Sequence, residues 1–367
     1  MPFSIIRNDI TKVKADAIVN TANPKPVIGI GTDSAVYKAA GAELLLEARQ
    51  KIGNIAPGHA EHTDAFQLNA KYIIHTVGPA WIDGGHGERE ILHACYENSL
   101  NKAAELSCES IAFPLIATGV YGFPKDEALQ IALYEINRFL LSHDMKVILA
   151  VFDRKSFELS GKLVGDIEEY IDEHSAKEIS KTEYCGAGPY ARRMRSAEYA
   201  EQKKMTADSD DASGEADDEN EWEEMPETGA VFSEAAAPAL PDVSGRSLDE
   251  ILENTGDTFQ QRLFQLIDES GMDDVTVYKK ANIDRKVFSR IRCRQDYKPK
   301  KKTAVAFAIA LQLDMPTMLD LLARAEIAFS PSSKFDLIIS YFITNKIYDI
   351  FEINAALFKY GQPILGE

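Results

Sequence analysis

Short β-rich runs alternate with longer helical patterns over the first 175 residues, and this alternation restricts the fold more than any other feature. Runs rich in β-branched and aromatic residues predict strands at Phe3–Arg7, Ala17–Asn20, Tyr72–Thr76, Ser110–Pro114 and Lys146–Val151. Between them, apolar spacings of three and four predict helices at Ser34–Ile52, Glu88–Glu105 and Lys125–Leu141. The alternation favours an α/β fold with a largely parallel sheet, which binds ligands at the carboxyl ends of its strands.

The acidic charge of the chain is concentrated in one segment. The formal net charge is −18 over 367 residues, and residues 208–227 contain 11 acidic residues and no Lys or Arg. Such a block is typically solvated and disordered. We therefore predict three parts: a domain at residues 1–175, an acidic disordered linker at 176–245, and an all-helical domain at 246–367. The total charge then says little about either binding surface.

Composition also bears on location. No run approaches the roughly 18 apolar residues of a membrane span, and charges interrupt the apolar N-terminus, unlike a signal peptide. Cys95, Cys108, Cys185 and Cys293 are scattered and form no CxxC pair, so neither a disulfide framework nor a cysteine zinc site is implied. We expect a cytoplasmic protein without a membrane partner.

Polar and glycine-bearing segments follow four of the predicted strands. Two of these loops contain glycines and lead into helices, which suits a diphosphate because backbone N–H groups and the helix dipole favour an anion. Asparagine side chains suit ribose hydroxyls. The candidate ligand contacts are Asp9, Ile10, Asn20, Gly29, Gly31, Thr118, Gly119, Val120, Tyr121, Gly122 and Phe152.

The chemistry of these residues indicates a nucleoside diphosphate that carries a second sugar. Asp9 can accept from an exocyclic amine, and Phe152 can cover a purine face. Neither glycine loop fits the P-loop or the Rossmann fingerprint, which makes ATP and NAD less favoured ligands.

Five segments, in order along the chain, resemble the macro domain family and its MacroD-type branch. They are NDIT, DAIVNTAN, IGIGTDSAVYKAAG, YIIHTVGPAW and AFPLIATGVYGFP, within residues 3–155. The resemblance implies a three-layer α/β/α fold with a mixed, largely parallel sheet. It also implies ADP-ribose, free or attached to protein, as the partner, with no cofactor.

The resemblance assigns roles to individual residues. Asp9 would bind the adenine amine with Ile10 beside it, and Phe152 would lie over the ring. Residues 117–122 would wrap the diphosphate. Asn23 and Asp33 match the catalytic positions near the distal ribose, where Asp33 would orient and activate a water and Asn23 would hold the ribose hydroxyls.

The chain departs from the family pattern in the first glycine loop. Ile28 and Ile30 stand where the family has glycines, and Thr32 replaces a valine. Because isoleucine resists positive φ, we expect this loop to follow a different path, which bears on catalysis more than on binding.

Several of these residues could have a structural role instead of a ligand contact. Asn20 could be only a turn former, Asp33 a helix N-cap, and Phe152 a core residue. Five histidines lie close in sequence, but their spacing matches no metal motif, so we expect no metal. They are His59, His62, His75, His86 and His93.

Residues 258–325 resemble the lambda-repressor-like (Xre-type) helix-turn-helix. Asp257 or Thr258 can cap a first helix that Gly271 ends. If the domain binds DNA, the recognition helix would span residues 284–291 and present Arg285, Lys286, Ser289 and Arg290 to the duplex. The alternative is a solvated face of a protein-interaction domain.

The sequence thus predicts an ADP-ribose-binding enzyme. It would hydrolyse mono-ADP-ribosyl groups on acidic side chains or deacetylate O-acetyl-ADP-ribose. Two alternatives are a reader that binds ADP-ribose without turnover, and a DNA-binding regulator that senses ADP-ribose.

Overall fold

A computed structural model describes residues 2–152, 159, 161, 163–171, 256–294 and 296–366. The predicted linker at 176–245 lies outside these residues, as does Cys185, so the three-part division remains a prediction. Cys95, Cys108 and Cys293 are free thiols, and the cytoplasmic location also remains a prediction. In the part of the chain that is described, none of the helices has the length and apolarity needed to span a bilayer.

The first half is built on a six-stranded sheet of order β1-β6-β5-β2-β4-β3. Neighbouring strands pair in parallel except β3 and β4, which are antiparallel, so the sheet is mixed, as predicted. The strands are β1 Phe3–Arg7, β2 Ala17–Thr21, β3 Ala60–Asp64, β4 Tyr72–Thr76, β5 Ser110–Phe113 and β6 Lys146–Val151. Sequence patterns missed β3, because its residues AEHTD are mostly polar and it lies at an edge.

Helices cover both faces of this sheet. They are α1 Thr32–Ala40, α2 Ala42–Ile52, α3 Glu88–Glu105 and α4 Lys125–Ser142. The single helix predicted at Ser34–Ile52 is instead two helices, because Gly41 adopts a φ of 96° between them. Ile18 and Ile73 pack with α1 and α2 in one core, whereas Val19 and Ile74 pack with α3 and α4 in the other. The three predicted layers are therefore confirmed.

Among its described residues the second half contains helices and no strands. Its helices are α5 Phe259–Ser270, α6 Asp274–Lys280, α7 Arg285–Cys293, α8 Lys301–Ala310, α9 Met315–Ala323, α10 Lys334–Thr344 and α11 Ile350–Lys359. Thr258 forms a capping box with Gln261, and Gly271 ends α5 with a φ of 66°. The α9 helix begins at Met315, because Asp314 caps it and a proline occupies its first turn.

The two halves share one hydrophobic core. Buried side chains of the sheet, α3 and α4 form a single cluster with those of α5 to α11. The rings of Phe3 on β1 and Phe351 on α11 lie 4.8 Å apart. Lys279 of α6 pairs with Asp144, which follows α4, at 3.4 Å. The helical half therefore packs on the β1 edge of the sheet.

Candidate functional site

The predicted site residues follow four strands that are adjacent in the sheet. Along its carboxyl edge, the loops after β1, β6, β5 and β2 carry Asp9, Phe152, residues 117–122 and residues 23–33 in turn. Three strand spacings of about 4.8 Å separate the first loop from the last, which gives a row about 14 Å long. The sheet thus brings distant segments of the sequence into one line.

The loop after β5 presents a series of free backbone donors. The N–H groups of Thr118–Tyr121 donate to no group among the residues that the structure describes. Ala117 has a φ of 62°, and Phe123 N donates to its carbonyl at 3.1 Å. Consecutive free N–H groups in such a turn form a concave anion site.

Neighbouring segments hold this loop in place. Tyr121 O accepts from Trp81 N at 2.8 Å, and the buried hydroxyl of Tyr96 accepts from Ile116 N at 3.1 Å. A Cβ at Gly78 would lie 3.0 Å from the Cβ of Ala117. The loop is therefore supported before any ligand arrives.

The glycine loop after β2 approaches two polar side chains. A Cβ on Gly29 would lie 2.6 Å from Asn23 Nδ2 and 3.0 Å from Asp33 Oδ2, so a larger residue there would displace these two side chains. Gly29 N donates to Asp33 Oδ2 at 2.5 Å. Asn23 is half-buried, and its Nδ2 donates to Val27 O at 3.2 Å.

Gly31 takes the positive φ of this loop, at 68°, and neither Ile28 nor Ile30 has one. Neither isoleucine therefore adopts the backbone conformation that isoleucine resists. Gly31 is also the N-cap of α1, with no side-chain capping bond. The first-turn N–H groups of α1 consequently remain available for an anion.

Asp33 lies under the loop rather than on its surface. Its side chain is 3% exposed, and Oδ1 accepts from Asn20 Nδ2 at 2.6 Å. Burial raises the pKa of Asp33, although the bonds from Asn20 and Gly29 and the charge of Arg49 oppose that shift. Asp33 does not cap α1, so the N-cap interpretation is wrong.

Asn20 requires a correction. It was predicted to touch the ligand, but it is fully buried, because it sits within β2 with neighbouring strands on both sides. Its Nδ2 also lies 3.3 Å from Nδ1 of His75 on β4. Asn20 therefore supports the site from below.

Sequence patterns missed Arg49, which lies on α2 and is 1% exposed. Its guanidinium donates to Asn23 O at 3.2 Å and to Gly53 O at 2.5 Å. It thereby fixes the backbone at Asn23. Nothing in its spacing distinguishes it from Lys51, the exposed cation of the same helix.

The opposite end of the row contains Asp9 and Phe152. Asp9 Oδ1 accepts from Thr11 N at 3.0 Å and from Thr11 Oγ1 at 2.8 Å. Phe152 is 73% exposed, so the core-packing interpretation is wrong. Ile10 is buried in the core, and its side chain is not open to a ligand.

Three potential metal ligands meet near α3. Among the described residues, Asp83, His86 and Glu88 are the group whose potential ligand atoms lie close enough together to hold a metal ion. However, the Glu88 carboxylate accepts from the N–H groups of Ile82, Asp83, Gly84 and His86. These bonds show that Glu88 organises its own loop.

The predicted recognition helix is α7. Arg285, Lys286, Ser289 and Arg290 are all exposed, while the opposite face of the helix is buried. Arg285 and Lys286 line a groove of about 440 Å³ against the first half, whose lining includes Asp144. Ser289 and Arg290 lie one turn further along the helix.

Comparisons with known proteins match the first half. The Macro domain family model matches residues 19–132. An O-acetyl-ADP-ribose deacetylase of Citrobacter rodentium is 44% identical over 165 residues, 44% of this chain and 93% of that protein. A macro domain-containing protein of Chlorobaculum tepidum is 43% identical over 159 residues, 43% of this chain and 92% of that protein.

Two solved structures are also similar. The Oceanobacillus iheyensis macrodomain with ADP is 37% identical and covers 42% of this chain and 85% of its own, with a TM-score of 0.40. The Trypanosoma brucei macrodomain in complex with ADP-ribose is 34% identical, covers 42% and 66%, and has a TM-score of 0.39.

Proposed function

Because the chain belongs to the macro domain family, we propose that its first half binds ADP-ribose and hydrolyses a bond at the distal ribose. The substrates would be O-acetyl-ADP-ribose or mono-ADP-ribosyl groups on acidic side chains. The relatives named O-acetyl-ADP-ribose deacetylases, at 40–44% identity, support this class of reaction.

The order of the loops is the observation that carries the proposal. Asp9 and the exposed Phe152 come first, the free N–H groups of Thr118–Tyr121 come next, and Asn23 with Asp33 comes last. ADP-ribose has the same linear order of adenosine, diphosphate and ribose. Because each loop supplies the chemistry of the matching ligand part, the row favours this ligand over a mononucleotide.

The diphosphate would bind between two sets of backbone donors. The β5 loop offers its free amides, and the adjacent β2 loop leads into the uncapped α1 N-terminus. Both favour negative charge without a cation. Tyr121 and Val120 would form the wall of this part of the cleft.

Hydrolysis would take place beside Gly29. Asn23 would hold the ribose hydroxyls, since it is the half-buried polar side chain above the loop. Each oxygen of Asp33 retains a further lone pair, through which it would orient a water. Because burial raises the pKa of Asp33, the carboxylate is a stronger base than an exposed aspartate.

The full chain is the sample for the first test. ADP-ribose is titrated by calorimetry, and release is then measured from O-acetyl-ADP-ribose and from an ADP-ribosylated glutamate substrate. We expect binding and release in the wild type, and binding with lost release in Asn23→Ala and Asp33→Ala. Unchanged turnover in Asp33→Ala would show that the mechanism is wrong.

The other outcomes separate the alternatives. Binding without release from either substrate would establish a reader. Failure to bind ADP-ribose at all would overturn the assignment of the cleft.

A second candidate function is DNA binding by α7. It is favoured by the shared exposure of Arg285, Lys286, Ser289 and Arg290. Anisotropy titrations with duplex DNA at rising salt should show steep weakening of binding, and a loss of affinity in Arg290→Ala. Lys334→Ala, an exposed cation on α10, is the control, and an absence of salt-sensitive binding would remove this function.

A further inference from the structure

A chain of buried hydrogen bonds runs from β3 to the glycine loop. Thr63 on β3 contacts His75 on β4, with 3.0 Å between Oγ1 and Nε2. His75 Nδ1 lies 3.3 Å from Asn20 Nδ2, which donates to Asp33. Asp33 in turn accepts from Gly29 N. His75 and Asn20 are directly paired residues of β4 and β2, and both are fully buried.

The hydroxyl of Thr63 fixes the direction of the chain. It donates its only hydrogen to Asp64 O at 3.0 Å, so its oxygen accepts from His75 Nε2–H. In a neutral imidazole the other nitrogen then carries a lone pair. His75 Nδ1 therefore accepts from the Asn20 amide.

The imidazole stays neutral in this environment. Burial, together with the charges of Arg49 and His62, lowers the pKa of His75 to about 3. His75 therefore keeps its acceptor throughout the physiological pH range.

Two acceptors set the orientation of the Asn20 amide, Asp33 Oδ1 at 2.6 Å and His75 Nδ1 at 3.3 Å. With Nδ2 between His75 and Asp33, one amide hydrogen goes to each. A flipped amide would place its oxygen against the lone pairs of His75 Nδ1 and of the Asp33 carboxylate. The His75 lone pair thus opposes the flip, and Asp33 keeps a donor on Oδ1 while Oδ2 holds Gly29.

We propose that His75 is a positioning residue for the hydrolysis, in which it orients the Asn20 amide and thereby fixes Asp33 and the Gly29 loop beside Asn23. This inference rests on the proposed function. His75 touches no part of the cleft itself, since two side chains separate it from Gly29.

Three full-length variants test the proposal by turnover. His75→Leu removes the acceptor at similar volume, and His75→Asn restores one near the Nδ1 position. We expect kcat to fall about tenfold or more in His75→Leu, because a misplaced catalytic group is costly, with the Kd for ADP-ribose little changed. His75→Asn should recover part of that loss, and Thr63→Val should lower kcat less. Equal kcat in wild type and His75→Leu would overturn the proposal.

Nuclear magnetic resonance tests the same chain of bonds without turnover. The wild type should show His75 as the Nε2–H tautomer with no titration between about pH 5 and 8. The Gly29 amide proton should be shifted downfield by its short bond to Asp33, and His75→Leu should reverse that shift while His75→Asn retains it. An Nδ1–H tautomer, or an unmoved Gly29 signal in His75→Leu, would overturn the proposal. Absence of release in the wild type with both signals as expected would overturn only the hydrolase function.

Discussion

The side-chain amide of Asn282 pairs with the main chain of Phe3 as a neighbouring β-strand would. Its Oδ1 accepts from Phe3 N at 2.9 Å, and its Nδ2 donates to Phe3 O at 3.0 Å. Phe3 belongs to β1, at one edge of the sheet, and Asn282 lies in the turn between α6 and α7. The turn that precedes the predicted recognition helix is thus buried against the first half.

This contact bears on the DNA-binding hypothesis. Helix-turn-helix proteins present the N-terminal residues of the recognition helix to the bases. Here Arg285 and Lys286 face a groove whose opposite wall belongs to the first half. A duplex would have to approach from the side of Ser289 and Arg290.

Removal of the Asn282 side chain should loosen the two halves. Asn282 has a φ of 52°, so Asn282→Gly keeps the backbone conformation and leaves the buried groups of Phe3 without partners. We expect the free energy of unfolding to fall by about 2–6 kcal/mol, at about 1–3 kcal/mol for each of the two unsatisfied groups. Urea denaturation of the full chain measures the change. Gln312→Gly is the control, because Gln312 is exposed and has a φ of 54°; equal effects of both variants would contradict the prediction.

Phe152 should contribute to ligand affinity and not to stability. Its ring is 73% exposed, and stacking of a base on an aromatic ring contributes about 1–3 kcal/mol. Phe152→Ala should therefore weaken ADP-ribose binding by a corresponding amount in calorimetry and leave binding of ribose 5-phosphate unchanged. Tyr134→Ala removes an aromatic ring that is 58% exposed on α4 and should change neither. An equal loss for both ligands would show that Phe152 does not contact the adenine.

A substitution at Gly119 in the β5 loop should weaken ligand binding without changing the stability of the fold. A Cβ there would meet no atom within 4 Å, and Gly119 does not have a positive φ. Gly119→Ala should therefore leave the thermal unfolding midpoint unchanged. The added methyl group should hinder the approach of the diphosphate to the free amides and weaken ADP-ribose binding about tenfold, or about 1.4 kcal/mol. Gly256→Ala, 3.8 Å from the nearest atom, is the control, and unchanged affinity in Gly119→Ala would place the diphosphate elsewhere.

The contribution of Glu88 to stability should depend on pH. Burial alone would raise its pKa, but the backbone N–H groups around it hold the pKa at about 2, below the ordinary 4.5. Because the pKa is lower in the folded protein than in the unfolded chain, the ionised Glu88 stabilises the fold at pH values above about 4.5. That contribution is lost as the pH falls from about 4.5 towards about 2. Glu88→Gln should therefore be less stable than wild type at pH 7, and the difference should shrink across that window. Denaturant unfolding at several pH values measures it, with Glu90→Gln as the exposed control; a difference independent of pH would contradict the assignment.

Much of the fold could be predicted from the sequence, because periodicity and capping depend on residues that are close together in the chain. Periodicity predicted β1, β4, β6 and the helices α3 and α5 to within a residue or two. Gly271 ends α5 as predicted, and of the two predicted caps the structure uses Thr258 and not Asp257. In contrast, Gly41 breaks a helix whose apolar spacing continues across it. The break depends on a backbone angle, which the spacing of apolar residues does not record.

The sequence motifs predicted only part of the candidate site. The sequence placed Asp9, Phe152 and the β5 loop directly after their strands and Gly29 in the loop that follows β2, where the structure has them. The motifs do not indicate how deeply a side chain is buried. Asn20 and Asp33 were therefore assigned to the ligand surface although both are buried. Burial depends on which strands flank β2 and on how the loop folds over it. Both the neighbours of β2 and the path of the loop are set by packing between residues far apart in sequence, which local sequence patterns do not show.

The sequence by itself determined the alternation of elements, the helix caps and the residue types that favour a diphosphate, because propensity, capping and charge act over a few residues. The tertiary structure alone decided three further relationships. They are the order of the loops along the sheet, the orientation of Asn20 by His75, and the docking of Asn282 on Phe3. Each joins residues far apart in sequence, through contacts that form only when the sheet and its helices pack together.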